Sequence, residues 1–415
     1  MEKSEKHGIG PFAQLITMRN LDIKGPIQDD QLEIIPNAGL IIQSGRVVEI
    51  GDFKKIRNLC ENRNIPLDLI DQAVVGIPAL IDAHTHICFA GSRSTDYAKR
   101  VGGKTYLEIA KEGGGIWDTV QKTRQASLET LENSLRERVH ILSKMGIGTI
   151  EIKSGYGLNV KEELKMLQAI QNVTSDVAID LIPTCLPAHI LPKDFNGTAM
   201  EYVHYLLQDF FPIVQQQKLS NRADIFVEET AFDLPEARIY LSELQKRGFD
   251  LTIHADQFGV GGSQLGVEFG ARSVDHLEAS GDEQIALIAQ SDVIPVALPG
   301  ASLGLGEPFA PARKLLDAGA SLAIASDWNP GSAPMGNLLV QASILGAYEK
   351  LSIAETLAGL TFRAAAALGL KDRGKLERDQ LADITAFPTH DYREVFYRQG
   401  QLQPSAFWKN GSRIF

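Results

Sequence analysis

Short apolar runs, each ending in polar residues, recur along the middle of this chain with helical patterns between them. Runs at 79–87, 149–153, 178–184, 224–228, 250–254, 273–276, 293–298 and 321–326 predict eight strands. Between several of them, apolar residues at spacings of three and four predict amphipathic helices, most clearly over 128–145 and 161–173. Eight strand–helix units fit a (β/α)8 barrel, which typically needs about 250 residues. Both ends of the chain read differently. Segments 15–17 and 39–51 predict strands, with a hairpin turning at Ser44-Gly45, and 382–387 and 405–411 predict strands again. The expected fold is an α/β protein: a TIM-like barrel over 79–374 and a small β-sandwich built from 1–78 and 375–415. The stretch from Phe89 to Glu129, with Gly113-Gly114-Gly115, exceeds an ordinary connection and suits a binding loop.

Polar residues fall where this pattern puts strand ends. His84 and His86 close the first strand, Tyr156 follows the second and His189 follows the third. Glu228 lies near the end of the fourth, His254 ends the fifth, His276 the sixth and Asp327 the eighth. Barrel enzymes carry their chemistry at this face. In His84-Thr85-His86, positions i and i+2 of an extended chain point the same way, so both imidazoles can share one metal ion. Such a pair is a weak signal alone. Five of the chain's nine histidines at strand ends make it a strong one.

Composition narrows the partners. Hydrophobic residues at 44% and charged residues at 22% describe an ordinary globular chain, and a net charge of -11 argues against nucleic-acid or anionic-membrane binding. No run of about 18 apolar residues is present to span a bilayer, and residues 1–14 lack the apolar core of a signal peptide. Cys60, Cys88 and Cys185 are widely spaced and form no CxxC pair, so free thiols in a cytoplasmic protein are expected. Any metal must then be held by nitrogen and oxygen.

His84, His86 and His254 offer three imidazoles and Asp327 a carboxylate, a donor set for one divalent ion, zinc or iron(II). Such an ion lowers the pKa of bound water towards roughly 7. Asp327 can touch the metal and accept the water proton, or cap the turn that follows it. His276, in Val274-Asp275-His276-Leu277-Glu278, can orient the attacking water or stabilise an oxyanion. Arg93, just beyond the histidine strand, can bind a carboxylate through its guanidinium fork. The fourth predicted strand carries no lysine to bridge two metals, which favours a single ion, and Lys153 on the second strand reads as a structural or ion-pair residue.

The HxH strand, His254, His276 and Asp327 resemble the amidohydrolase superfamily. Further blocks are similar to its imidazolonepropionases: Phe89-Ala90-Gly91-Ser92-Arg93, Gly113-Gly114-Gly115-Ile116, Ile150 to Leu158, Glu163-Leu164-Lys165-Met166-Leu167 and Asn329-Pro330-Gly331-Ser332. The resemblance covers nearly the whole chain. It implies hydrolysis of the ring amide of 4-imidazolone-5-propanoate to N-formimidoyl-L-glutamate in histidine degradation. It also implies metal ligands at His84, His86, His254 and Asp327, and substrate contacts at Arg93, Tyr156, His189, Gln257, Asn329, Gly331 and Ser332. A homodimer is expected only by analogy with such barrels.

Three positions depart from the pattern or matter to it. Pro187 stands where the family typically has glycine, and Trp328 is a bulky neighbour of Asp327; both are expected to reshape the pocket. Gln257 occupies a place that related ring deaminases give to an acid. Glutamine cannot donate a proton as a general acid, so ring opening is favoured over deamination of a heterocyclic amine, the competing enzymatic reading. A silent scaffold that kept the barrel would be expected to have lost ligands, and all four are present.

Overall fold

The computed structural model describes residues 6–104, 108–109 and 112–415. Sixteen strands are found among them. β1 (Lys6–Ile16), β2 (Ile34–Gln43), β3 (Arg46–Asp52), β4 (Leu67–Leu69) and β5 (Val75–Pro78) precede the barrel. The barrel strands are β6 (Leu80–Asp82), β7 (Ile147–Lys153), β8 (Asp180–Ala188), β9 (Arg222–Ile225), β10 (Asp250–Ala255), β11 (Ser273–His276), β12 (Ile294–Ala297) and β13 (Ala323–Ile324). β14 (Ile384–Phe387), β15 (Ala406–Lys409) and β16 (Ser412–Arg413) follow.

The eight barrel strands lie in chain order from β6 to β13, every neighbouring pair parallel. A parallel sheet covered on both faces buries every residue of a strand, and all seven residues of β7 are buried. Helices Leu128–Lys144 and Val160–Asp176 bury Leu131, Leu135, Val139 and Leu142, and Met166, Leu167, Ile170 and Val173, at the spacings the sequence showed. Ser127 and Asn159 cap them by accepting the N–H groups of Thr130 and Glu162.

Four barrel strands are shorter than their apolar runs, β6 and β13 most of all. The Ser326 N–H, which a longer β13 would give to a neighbouring carbonyl, goes to Asp82 Oδ1 at 2.9 Å, and the Ser326 hydroxyl donates to Asp82 Oδ2 at 2.5 Å. Closure comes just beyond the strands. Asp327 N donates to the His84 carbonyl and His86 N to the Trp328 carbonyl, both at 3.0 Å, and Thr85 bridges Trp328 in parallel. The barrel is therefore sewn shut at the segments that carry the histidine pair and Asp327.

Both ends of the chain build one further sheet, ordered β16-β15-β14-β5-β1-β2-β3, with β4 beside β1. Phe12, Leu15, Leu40, Ile42, Ile384 and Trp408 form its core. The expected hairpin turn is present, with Ser44 and Gly45 at φ 53° and 75°, the left-handed pair of a type I′ turn. This sheet meets the barrel at the N-terminal ends of the strands. Thr385 Oγ1 donates to the Gly146 carbonyl at 2.7 Å, and the buried Lys409 ammonium lies 2.8 Å from Asp180. The opposite face is left to the site.

Candidate metal centre and substrate cavity

His84, His86, His254, His276, His189 and Asp327 are all buried at the C-terminal mouth of the barrel. Thr85 sets the aim of the first pair. Its hydroxyl donates to the Glu151 carbonyl at 2.6 Å and its carbonyl accepts from Lys153 N at 2.9 Å, which fixes Thr85 on β7 and turns its two neighbours inward. His84 Nε2 and His86 Nε2 are 3.2 Å apart, and His86 Nε2 and His254 Nε2 are also 3.2 Å apart. Asp327 Oδ1 lies 3.5 Å from His84 Nε2 and 3.4 Å from His86 Nε2. His84, His86 and Asp327 form one set of converging donor atoms, and His84, His254 and His276 form another.

The backs of two rings explain what faces the front. His84 Nδ1 is 2.6 Å from Asp275 Oδ2, and His254 Nδ1 is 2.9 Å from Asp224 Oδ2. Each carboxylate calls for a proton on Nδ1, so each Nε2 presents a lone pair. His86 Nε2 lies 3.2 Å from one and 3.2 Å from the other; a proton there would satisfy only one of the two lone pairs, whereas a cation between the three nitrogens satisfies both. Nitrogens bound tetrahedrally at 2.0–2.1 Å sit about 3.3 Å apart, so these donors fit a divalent ion. The rings are also neutral, as ligands must be. Burial, with Lys153 and neighbouring imidazoles, holds His84 well below the usual imidazole pKa. Burial and the other histidines do the same for His86. Burial brings His254 down to about 4, although Asp224 works against it. Asp224 and Asp275 were not singled out from the sequence; the available signal was an acidic residue inside each apolar run.

Asp327 is pushed up to about 6 by burial, which outweighs the opposing His276 charge and the hydrogen bond from Asn329. His276 moves the other way from its buried neighbours. Burial disfavours its charged form, but Glu278, with Oε1 at 3.3 Å from Nδ1, together with Asp327 and Asp275 raises the pKa overall. His189 stacks on His86 with ring centres 5.4 Å apart, donates or accepts through Nδ1 at the Gly155 carbonyl (3.0 Å), and is driven down to about 3 by burial. Tyr156 lies 6.0 Å from His86 and 5.6 Å from His189 between ring centres.

Beside this cluster is a cavity of about 370 Å³ lined by Phe89, Arg93, Tyr97, Arg138, Trp328, Asn329 and Gly331, among others. Trp328 thus shapes the cavity wall, as its size suggested. Arg93 Nε donates to Asp96 at 2.9 Å, and its Nη1 lies against Gly331, where an added Cβ would be only 2.5 Å away. Arg138 donates to the Ile87 and Phe89 carbonyls at 2.7 and 2.8 Å, which anchors the start of the segment after β6; that segment, read as a loop from the sequence, carries helices Ser94–Val101 and Ile116–Gln125.

In the loop after β13, Asn329 Oδ1 accepts from Gly331 N at 2.7 Å and Ser332 N at 2.8 Å. Its Nδ2 donates to Asp327 Oδ2 and Ser332 Oγ, both at 2.9 Å. The carboxamide closes the loop on itself and braces Asp327. Gln257 stands half-buried in the turn after β10. That turn is held by Glu228, whose Oε1 accepts from Gln257 N at 3.0 Å and Phe258 N at 2.8 Å. Pro187 is built into β8, its carbonyl accepting from Tyr202 at 3.1 Å. The three cysteines are free and buried, and no helix among the described residues is long and apolar enough to cross a membrane.

A closed parallel barrel with histidines and an aspartate at its mouth is the architecture of metal-dependent amidohydrolases, and the amidohydrolase family profile matches residues 105–411. The chain is 39% identical over 404 residues to imidazolonepropionase of Deinococcus radiodurans, covering 97% of this chain and 98% of that one. It is 36% identical over 391 residues to the imidazolonepropionase of Bdellovibrio bacteriovorus, covering 94% and 91%. The protein belongs to this family of amidohydrolases. Its fold is shared with atrazine chlorohydrolase from Arthrobacter aurescens TC1 complexed with zinc, with a TM-score of 0.72 at 16% identity over 98% of this chain and 94% of that one. An adenosine deaminase from Xanthomonas campestris with bound zinc gives 0.72 at 15% identity, over 99% and 92%.

Proposed function

We propose that this protein hydrolyses the ring amide of 4-imidazolone-5-propanoate, giving N-formimidoyl-L-glutamate in histidine degradation. The reading is carried by one juxtaposition: two three-donor sets sharing His84, one with His86 and Asp327 and one with His254 and His276, beside a cavity whose wall holds the Arg93 guanidinium. His84, His86, His254 and Asp327 would hold a divalent ion, zinc or iron(II), which would supply water of lowered pKa.

The chain's own groups do the rest. Asp327 takes the proton of the attacking water and returns it to the ring nitrogen as the C–N bond breaks, from a position 3.4–3.5 Å from His86 and His84 Nε2. His276, whose pKa Glu278 helps to raise, donates to the oxyanion that forms on the ring carbonyl. Tyr156, His189 and Gln257 hydrogen-bond the ring, and Gln257 moves no proton. Arg93 binds the propanoate, with Asn329, Gly331 and Ser332 as the preformed wall opposite. Residues 79–374 are the catalytic barrel, supported by 1–78 and 375–415; the working form is a cytoplasmic homodimer, which sedimentation tests.

Purified, metal-loaded protein should consume 4-imidazolone-5-propanoate and form N-formimidoyl-L-glutamate without ammonia. An intact imidazolone, with ammonia released from an aminopurine or aminopyrimidine, would replace this reading with the deaminase.

A further inference from the structure

Beneath the imidazoles lies a charge cluster that the proposed chemistry does not use. Lys153, the last residue of β7, is fully buried. Its Nζ is 2.8 Å from Glu151 Oε1, 2.8 Å from Asp224 Oδ2 and 3.7 Å from Asp275 Oδ2. Those same Asp224 and Asp275 oxygens face His254 Nδ1 and His84 Nδ1, at 2.9 and 2.6 Å. One ammonium therefore reaches the backs of two candidate ligands, each through a single shared oxygen. Glu151 touches neither ring; its Oε2 accepts the Thr85 N–H at 3.2 Å.

Asp224 on β9 and Asp275 on β11 flank β10, which carries His254. Two carboxylates enclosed this closely repel unless a cation lies between them. An ammonium is a compact charge with three donors, suited to three carboxylates arriving from different strands. With Lys153 present, both aspartates stay turned to the Nδ1 atoms, and both Nε2 lone pairs stay aimed at the centre. Without it Asp224 keeps only the Ile225 and His254 N–H groups on Oδ1, at 2.8 and 3.2 Å, and Asp275 Oδ2 only the Thr252 hydroxyl at 3.2 Å beside its ring, so repulsion between the two Oδ2 atoms is left to turn them off the Nδ1 atoms.

We propose that Lys153 is a positioning residue that sets the divalent-metal affinity of the site by pinning the carboxylates behind His84 and His254. The proposal rests on the metal-site reading above. Its test is zinc affinity, measured by chelator competition on folded protein for wild type, Lys153→Met and Lys153→Met/Glu151→Gln. The double variant removes one buried anion together with the cation and keeps an acceptor for Thr85, so it safeguards folding if the single variant fails. The expected result is a zinc dissociation constant raised 10–100-fold in both variants. KM should stay near the wild-type value once zinc saturates the site. If Lys153 only balances charge for folding, the double variant will bind zinc as wild type does. Wild-type affinity in either folded variant overturns the proposal alone. A wild-type protein that takes up no divalent ion overturns the metal-site reading, and the proposal with it.

Discussion

Gly331→Ala is a small change with a calculable consequence. The new methyl group would lie 2.5 Å from Arg93 Nη1 and 3.3 Å from Asn329 Oδ1. Non-bonded atoms prefer roughly 3.5 Å or more, so the guanidinium must retreat by about 1 Å. Gly331 does not have a positive φ, so alanine introduces no backbone strain, and the Gly331 N–H can still reach Asn329. Arg93 is the mobile partner, tethered through Nε to Asp96. A misplacement of about 1 Å in a positioning group can cost ~100-fold. That corresponds to about 2.7 kcal/mol of transition-state binding. Steady-state kinetics on 4-imidazolone-5-propanoate should show the loss mainly in KM, with metal content and unfolding midpoint unchanged. An imidazolone lacking the propanoate should be turned over equally by both proteins. A KM within twofold of wild type, or an equal loss on the truncated substrate, would refute the assignment of Arg93 to the carboxylate.

Other substitutions probe other parts of the account. Asp327→Asn should lower kcat by ~10²–10⁴ with zinc still bound at saturation, and near-normal turnover would remove its role as base. Glu278→Gln takes away a charge that helps to raise the His276 pKa. Activity that needs charged His276 is present at low pH and lost as pH rises through that pKa, so the alkaline limb of kcat/KM should move to lower pH; an unmoved limb contradicts the role. Glu355, almost fully buried, accepts from Arg313 at 2.9–3.1 Å, Ser352 N at 2.7 Å and Ile27 N at 3.2 Å. Glu355→Ala should cost about 3 kcal/mol in urea unfolding and leave KM alone, since it takes a buried acceptor from the Arg313 guanidinium and from the Ile27 and Ser352 N–H groups.

The barrel was legible because its strands are buried on both faces and so read as unbroken apolar runs between helical periods. The histidine pair was legible because alternation along an extended chain survives beyond the strand itself: β6 ends at Asp82, yet His84 and His86 still converge. The braces behind them were harder to see. Asp275 beside His276 looks like the polar tip of a strand, and only the fold brings it against His84, 191 positions away. The same holds for Asp224 and His254. Lys153 could be read as an ion-pair residue, but not as one shared by three strands. Asn329 illustrates a different limit. Its motif pointed to the site, but whether its carboxamide meets a ligand or closes its own loop is decided by a turn geometry that a string of residues does not contain.

The most direct test of a single-metal ring-opening site is a titration of activity with zinc. Metal-stripped protein should be inactive on 4-imidazolone-5-propanoate and gain N-formimidoyl-L-glutamate production linearly until one equivalent per chain, then level off. Turnover by the stripped protein, or a break at two equivalents, would contradict the account.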